Sequence, residues 1–258
     1  AIAYDWLYPT LTDAERALFI AIARRWSFKS GLKHVRPGGA GWFRRENSNW
    51  NTVCTGGLGM LALAMFEDAP EAPRILRMCE RSVEPFMRYL DKTDGAWPEG
   101  IGYWNYGMRY AFMFLLSHER ATGRRNPLLA LRGTRETLHF PLDFCPHGQP
   151  CSFGDVNRWT PLPFHYAAAR RLRCLPVTAA LDRWMHVSAS SLRRQVDKLF
   201  KSQGVLMRTL SSRKQSVGWP TAAEWLLLHP GTPVASTALA ASGPVAKLYG
   251  SLEWGVLA

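Results

Sequence analysis

No apolar run in this chain reaches the roughly 18 residues that a membrane-spanning helix needs, so no transmembrane segment is expected. Cysteine is scarce and poorly arranged for cross-linking. Cys54, Cys79, Cys145, Cys151 and Cys174 make five, an odd number at scattered spacings, which argues against a disulfide framework. Cys145-Pro-His147 with Cys151 hints at a metal cluster, but zinc wants four ligands at tighter, paired spacing. Free thiols in a loop are the expectation, with a single Cys145–Cys151 bridge as the alternative and no metal site. No sequence repeat recurs at a fixed period. No basic leader with an apolar run and cleavage site precedes Ala1-Ile-Ala-Tyr4, so a processed or truncated N-terminus is expected. Acidic residues are also in deficit: 20 Asp and Glu stand against 32 Lys and Arg, a net charge of +12. That balance attracts polyanions. Nucleic acid, anionic lipid and acidic polysaccharide all fit it, but no nucleic-acid motif accompanies the charge and no such partner is expected. The densest basic segment, from Arg193 and Arg194 through Lys198 and Lys201 to Arg208, Arg213 and Lys214, reads as a solvated helix face.

What is present is helical pattern. The chain has 258 residues and is 47% hydrophobic, enough for a sizeable core. Thr12-Asp-Ala-Glu15 is a capping box, and Ala14 to Trp26 behind it has helical periodicity. Ser27 to Gly41 reads as loop. Trp50 to Phe66 reads as a buried helix in which Gly56, Gly57 and Gly59 allow close approach or a bend. Glu71 to Leu90 is amphipathic, with Pro73 in its first turn and a kink expected at Pro85. Asp91 to Gly102 is turn-rich, and Tyr103 to Thr122 is a helix ended by Gly123. Arg124 to Arg158 is less regular. Further helices are expected at Pro161–Arg173, Thr178–Met185, Ser188–Phe200 and Ala222–Leu228, with a strand or bent connector from Gly204. Pro230 to Pro244 reads as a linker and Val245 to Leu257 as strand. The domain division is therefore 1–229, a linker over 230–244, and 245–258 as the first strand region of a further, all-β domain. Helices of this length without paired strands give a mainly α fold: a bundle, solenoid or toroid.

Two segments concentrate amides, aromatics and glycines at the start of a helix: Asn47-Ser-Asn-Trp-Asn-Thr-Val-Cys-Thr-Gly-Gly-Leu58 and Trp97-Pro-Glu-Gly-Ile-Gly-Tyr-Trp-Asn-Tyr-Gly107. With Leu248-Tyr-Gly-Ser-Leu-Glu-Trp-Gly-Val-Leu257, and with Ala3-Tyr-Asp-Trp-Leu-Tyr8 ahead of the capping box, they resemble the heparinase II/III family of polysaccharide lyases. That family includes heparin and heparan sulfate lyases and related alginate lyases. The similarity runs over nearly the whole chain, in the same order. It implies an incomplete (α/α) toroid of antiparallel helix pairs, followed by an antiparallel β-sandwich of which this chain holds only the opening. It also implies a periplasmic or secreted setting and an anionic, uronate-containing polysaccharide as partner. No cofactor is implied, apart from a structural metal that the family's sandwich can carry. In the family an Asn or His neutralises the uronate carboxylate and a Tyr on a later helix transfers protons. Those roles fall on Asn49 and Tyr103, 54 residues apart, with Tyr106 one turn on as the alternative. The family's further sandwich His has no counterpart assigned here.

The residues suit β-elimination. The proton on the carbon beside a uronate carboxylate leaves only if charge developing on that carboxylate is stabilised, which an amide donor can do. Asn49 or Asn51 can supply it, although Asn49 can equally be a helix cap. A tyrosine, ordinarily titrating near 10, serves as base when cations lower it, and Arg109, Arg44 and Arg45 are candidates for that field. Asn47, Trp50, Trp97, Glu99, Trp104, Asn105 and Arg109 are the expected substrate-binding set, with Trp42 a further ring. Each tryptophan can instead belong to the core. Tyr110 and Phe114 read as core; His118 and His165 read as satisfied core histidines. His139, His147 and Ser152–Asp155 are weaker cleft candidates. Glu99 has two other readings: support of nearby backbone amides, or a carboxylate pair with Asp94 for glycoside hydrolysis. A basic, aromatic toroid that binds acidic polysaccharide without turnover is the remaining alternative.

Overall fold

The computed structural model describes residues 1–35, 41, 44–144, 159 and 161–181, together with the backbone of 246–249 and 254–257. The chain divides into two compact units, Ala1–Trp159 with Val245–Ala258, and Thr160–Pro244. The described residues are mainly helical. None of their helices is long and apolar enough to cross a membrane.

In the first unit, α1 spans Ile2–Leu7 and α2 spans Asp13–Ala23. Thr12 opens α2 with the capping box its sequence announces. Its hydroxyl accepts the Glu15 N–H at 3.3 Å, while the Glu15 carboxylate accepts the Thr12 N–H at 2.8 Å. α2 then passes through a π-helical turn, Arg24–Phe28, into α3, Lys29–His34. The loop expected from Ser27 is thus helical as far as His34. Phe28 is a buried anchor there, and the first breaker, Pro37, comes only later. α4 spans Asn49–Ala64, α5 Ala72–Lys92 and α6 Ile101–Thr122. α5 runs as one continuous helix through Pro85. Ile75, Cys79, Val83, Phe86 and Leu90 give it a fully buried face. α6 stops at Gly123, in the left-handed conformation with φ of 66°, a backbone state that glycine adopts without strain. Short α7, Arg132–Glu136, packs on α5, and α8 spans Phe140–Asp143.

α4 and α6 meet along a close seam. A β-carbon placed on Gly56 would stand 2.7 Å from the Tyr110 carbonyl oxygen, and one on Gly59 would stand 2.5 Å from the Phe114 ring. One on Gly107 would meet the Asn49 β-carbon at 3.1 Å. Three glycines therefore let the backbones approach. The contacts advance together, from Asn49 with Gly107 to Gly59 with Phe114, so α4 and α6 run parallel and begin at the same end. α5 returns antiparallel between them in sequence: Ser82 bonds Asn51, and Lys92 at its C-terminus bonds Glu46 just before α4.

The strand region is a pair of strands rather than the single strand expected. β1, Ala246–Tyr249, pairs antiparallel with β2, Trp254–Leu257, in the register Ala246 to Leu257 and Tyr249 to Trp254. Two strands satisfy part of each other's backbone hydrogen bonding, which one alone cannot. In the second unit α9 spans Pro163–Arg171, and 175–181 is also helical. The helices expected over 188–200 and 222–228, the connector from Gly204, the linker 230–244 and the basic segment 193–214 lie outside the described residues.

Candidate functional site

The paired helix starts bring part of the predicted site together. Asn49 is the first residue of α4, and Ser48, not Asn49, occupies the cap position. The cap reading of Asn49 is therefore corrected. Its side chain is 2% exposed and lies against Gly107. Among the described residues, its amide side chain makes no hydrogen bond. Thr52 fixes the same point. Its hydroxyl lies 3.3 Å from the Asn49 carbonyl and donates across the seam to the Gly107 carbonyl at 2.7 Å. Tyr103 is one turn before Gly107 and shares its helix face. Tyr103 is 36% exposed and Tyr106 42%. Trp50, 49% exposed, and the exposed Asn47 stand at the same end.

Several expected site residues do other work. Trp97 and Trp104 are fully buried, so neither offers a ring face for a sugar. Trp97 packs on Phe86 at 4.8 Å and edge-on to Tyr89 at 6.0 Å. Trp104 donates its indole N–H to the Thr137 hydroxyl at 2.7 Å. Asn51 is fully buried and its amide is already used. It donates to the Arg44 carbonyl at 3.0 Å and accepts from Ser82 at 3.3 Å, so its amide anchors the segment before α4. Asn105 is half-buried. Arg109 lies with its guanidinium 5.8 Å from the Tyr110 ring centre. Arg44 donates to the Val35 carbonyl at 2.9 Å and Arg45 is exposed. His139 is half-buried, while Trp42, His147 and Ser152–Asp155 lie outside the described residues.

Glu99 is the bridge between the two segments. One carboxylate oxygen, Oε2, accepts both the Asn49 backbone N–H and the Trp97 indole N–H, each at 3.1 Å. Asp94 is paired with Arg132 at 2.8 Å. Both carboxylates of the hydrolase reading are thus engaged in holding structure, which weighs against that pair as acid and base.

Thiol chemistry has little support. Burial raises the Cys54 thiol above its ordinary value. Burial, then the Glu80 charge, pushes Cys79 up to about 12. A reactive cysteine needs the opposite shift. The Cys145 and Cys151 readings lie outside the described residues. No group of three or more His, Cys, Asp or Glu that could hold a metal occurs among the described residues. His118 is a satisfied histidine, with Nε2 2.7 Å from Glu80 and Nδ1 3.4 Å from the Asn126 amide. His165 is buried beside Phe164.

Sequence reading missed Thr52 and Gly107 as parts of the site. The available signal was spacing: Thr52, Gly56 and Gly59 recur at helical intervals, the mark of a close-packed face. No protein-family model matches the chain, and no curated protein matches it.

Proposed function

We propose that this chain is a polysaccharide lyase of the heparinase II/III type, cleaving a uronate-containing anionic polysaccharide by β-elimination. The single observation that carries the reading is the seam. It sets Asn49, the first residue of α4, against the α6 backbone at Gly107, one turn from an exposed tyrosine, Tyr103. In this reading the Asn49 amide donates to the substrate carboxylate as charge develops there. Tyr103, as the base, takes the proton from the carbon beside the carboxylate. That electron pair forms a carbon–carbon double bond, and the glycosidic carbon–oxygen bond breaks. Tyr103 returns its proton to the departing oxygen, so acid and base are one group. Tyr106 is the alternative for the same step. Trp50 and Asn47 would line the sugar path and Arg109 would add positive charge.

The alternation of α4, α5 and α6 supports an incomplete (α/α) toroid, since parallel helices separated in sequence by an antiparallel one are the repeating element of such a ring. The β1–β2 pair would open the sandwich. The substrate is heparin- or heparan sulfate-like, or alginate-like, and the setting periplasmic or secreted. The net charge of +12 suits such a partner.

The test is short-wavelength ultraviolet absorbance of the unsaturated uronate, a chromophore that hydrolysis does not create. Full-length protein is mixed with heparan sulfate, heparin, hyaluronan, chondroitin or alginate. At least one should give rising absorbance, with kcat falling by about 10²–10⁴-fold in Tyr103→Phe and about 10²–10³-fold in Asn49→Ala. Salt-sensitive binding with no absorbance change from any substrate would overturn the lyase in favour of a binding toroid.

A further inference from the structure

We propose that Glu99 is a positioning residue, one that sets the distance between Asn49 and Tyr103 without touching substrate. The proposal rests on the lyase reading of those two residues. α4 starts without a local cap: Ser48 has extended backbone and makes no side-chain capping bond. The first N–H groups of a helix have no partner inside it. Here the Asn49 N–H finds its acceptor 50 residues away, in Glu99. The same oxygen is fixed from the other side by the Trp97 indole N–H, and that ring is fully buried against α5. The carboxylate is therefore anchored to the core and in turn anchors the first residue of α4.

Glu99 is also the residue before Gly100, whose φ of 89° turns the chain into α6. Tyr103 follows four residues after Glu99. One side chain thus ties the start of the helix bearing the amide to the start of the helix bearing the phenol. Gly107 and Thr52 hold the same pair of helices from below, through the seam. A carboxylate in this place has a further consequence. It offsets the positive end of the α4 dipole, so the carboxylate of a substrate is met by the Asn49 side chain rather than by the helix end.

Because a single oxygen accepts both bonds, a glutamine can replace the glutamate. Its amide oxygen can accept the same two N–H groups, while its acid–base chemistry is gone. Positioning and proton transfer therefore give opposite results. With full-length protein, Glu99→Ala should lower kcat by about 10²-fold with KM little changed, the size expected when a reacting group is misplaced by about 1 Å. Glu99→Gln should keep kcat within about 10-fold of wild type, on the same reasoning. If Glu99→Gln is as inactive as Glu99→Ala, the two N–H bonds are not what the position supplies and the proposal fails. Should Glu99→Ala not fold, Glu99→Asp, one methylene short of both donors, takes its place.

A second readout does not depend on turnover. Amide hydrogen exchange by ¹⁵N NMR should speed up at the Asn49 N–H and the Trp97 indole in Glu99→Ala, and return towards wild type in Glu99→Gln. Unchanged exchange in Glu99→Ala would overturn the positioning role while leaving the lyase intact. A wild-type protein inactive on every polysaccharide would remove the lyase and with it the catalytic meaning of the position.

Discussion

α2 and α4 begin in opposite ways. α2 carries its cap with it, since Thr12 and Glu15 satisfy each other's backbone groups within one turn. α4 has no such device and takes its acceptor from Glu99, across 50 residues of chain. The difference follows from where each helix sits. Along α2 itself only Ala23 is buried, so tertiary packing does little to define its start and local chemistry must. α4 is held along its length by α5 and α6, and its start can be set from outside. A locally capped helix is defined by its own sequence. A remotely capped one is aligned with whatever supplies the cap, which is what a site built from two helices needs.

The largest expected effect tests how far α4 depends on its surroundings. Asn51→Ala removes a buried amide that holds the Arg44 carbonyl and accepts from Ser82. Leaving such groups without partners should cost about 3 kcal/mol. Urea denaturation at neutral pH measures it. A cost below about 0.5 kcal/mol, the range of an ordinary surface substitution, would mean that α4 starts without external anchoring and would erase the contrast with α2.

Local signals were legible in the sequence and remote ones were not. The Thr12 box, Pro73 in the first turn of α5 and Gly123 after α6 each act within a few residues, and each element is where they imply. α3 was hidden because the Pro-Gly cluster after it made the whole stretch from Ser27 look like loop. The two asparagines are two residues apart, so they lie on different faces of a helix. Only packing decides that Asn49 meets α6 while Asn51 meets Ser82. Trp104 could have been recognised as core, because Met108, Ala111 and Leu115 continue its face and all are buried. Trp97 precedes the helix and had no periodicity to betray it. Glu99 looked the same in sequence whether catalytic, hydrolytic or structural, because its two donors are set by the fold.

A smaller effect is expected at the local cap. Thr12→Ala should destabilise by about 1 kcal/mol, the usual cost of losing a capping side chain. Exchange should quicken in the first turn of α2 and not at Asn49. If Glu15→Ala is made alongside it, the double variant should lose less than the sum of the singles, because the two side chains serve one box. Full additivity would show that the box bonds act separately.

The smallest effect sharpens the comparison through pH. Glu71, at the start of α5, receives the Arg24 guanidinium from the π-helical turn, with Nε and the second nitrogen at 2.7 and 3.0 Å. The Arg24 hydrogen bond holds the Glu71 carboxyl below its ordinary 4.5, against a smaller opposing effect of burial. A carboxyl depressed on folding contributes stability that is present above the unfolded value of 4.5, and that contribution is lost as pH falls through the folded one. Glu71→Gln should therefore be slightly less stable than wild type at neutral pH and lose less on acidification, so the two Tm profiles converge below pH 4.5. Both side chains reach solvent, so the separation should be smaller than that caused by Thr12→Ala. Glu15 is depressed as well, by Thr12, and Glu15→Gln is the matched control at the local cap. If Glu71→Gln tracks wild type at every pH, the Arg24 bridge adds nothing to stability.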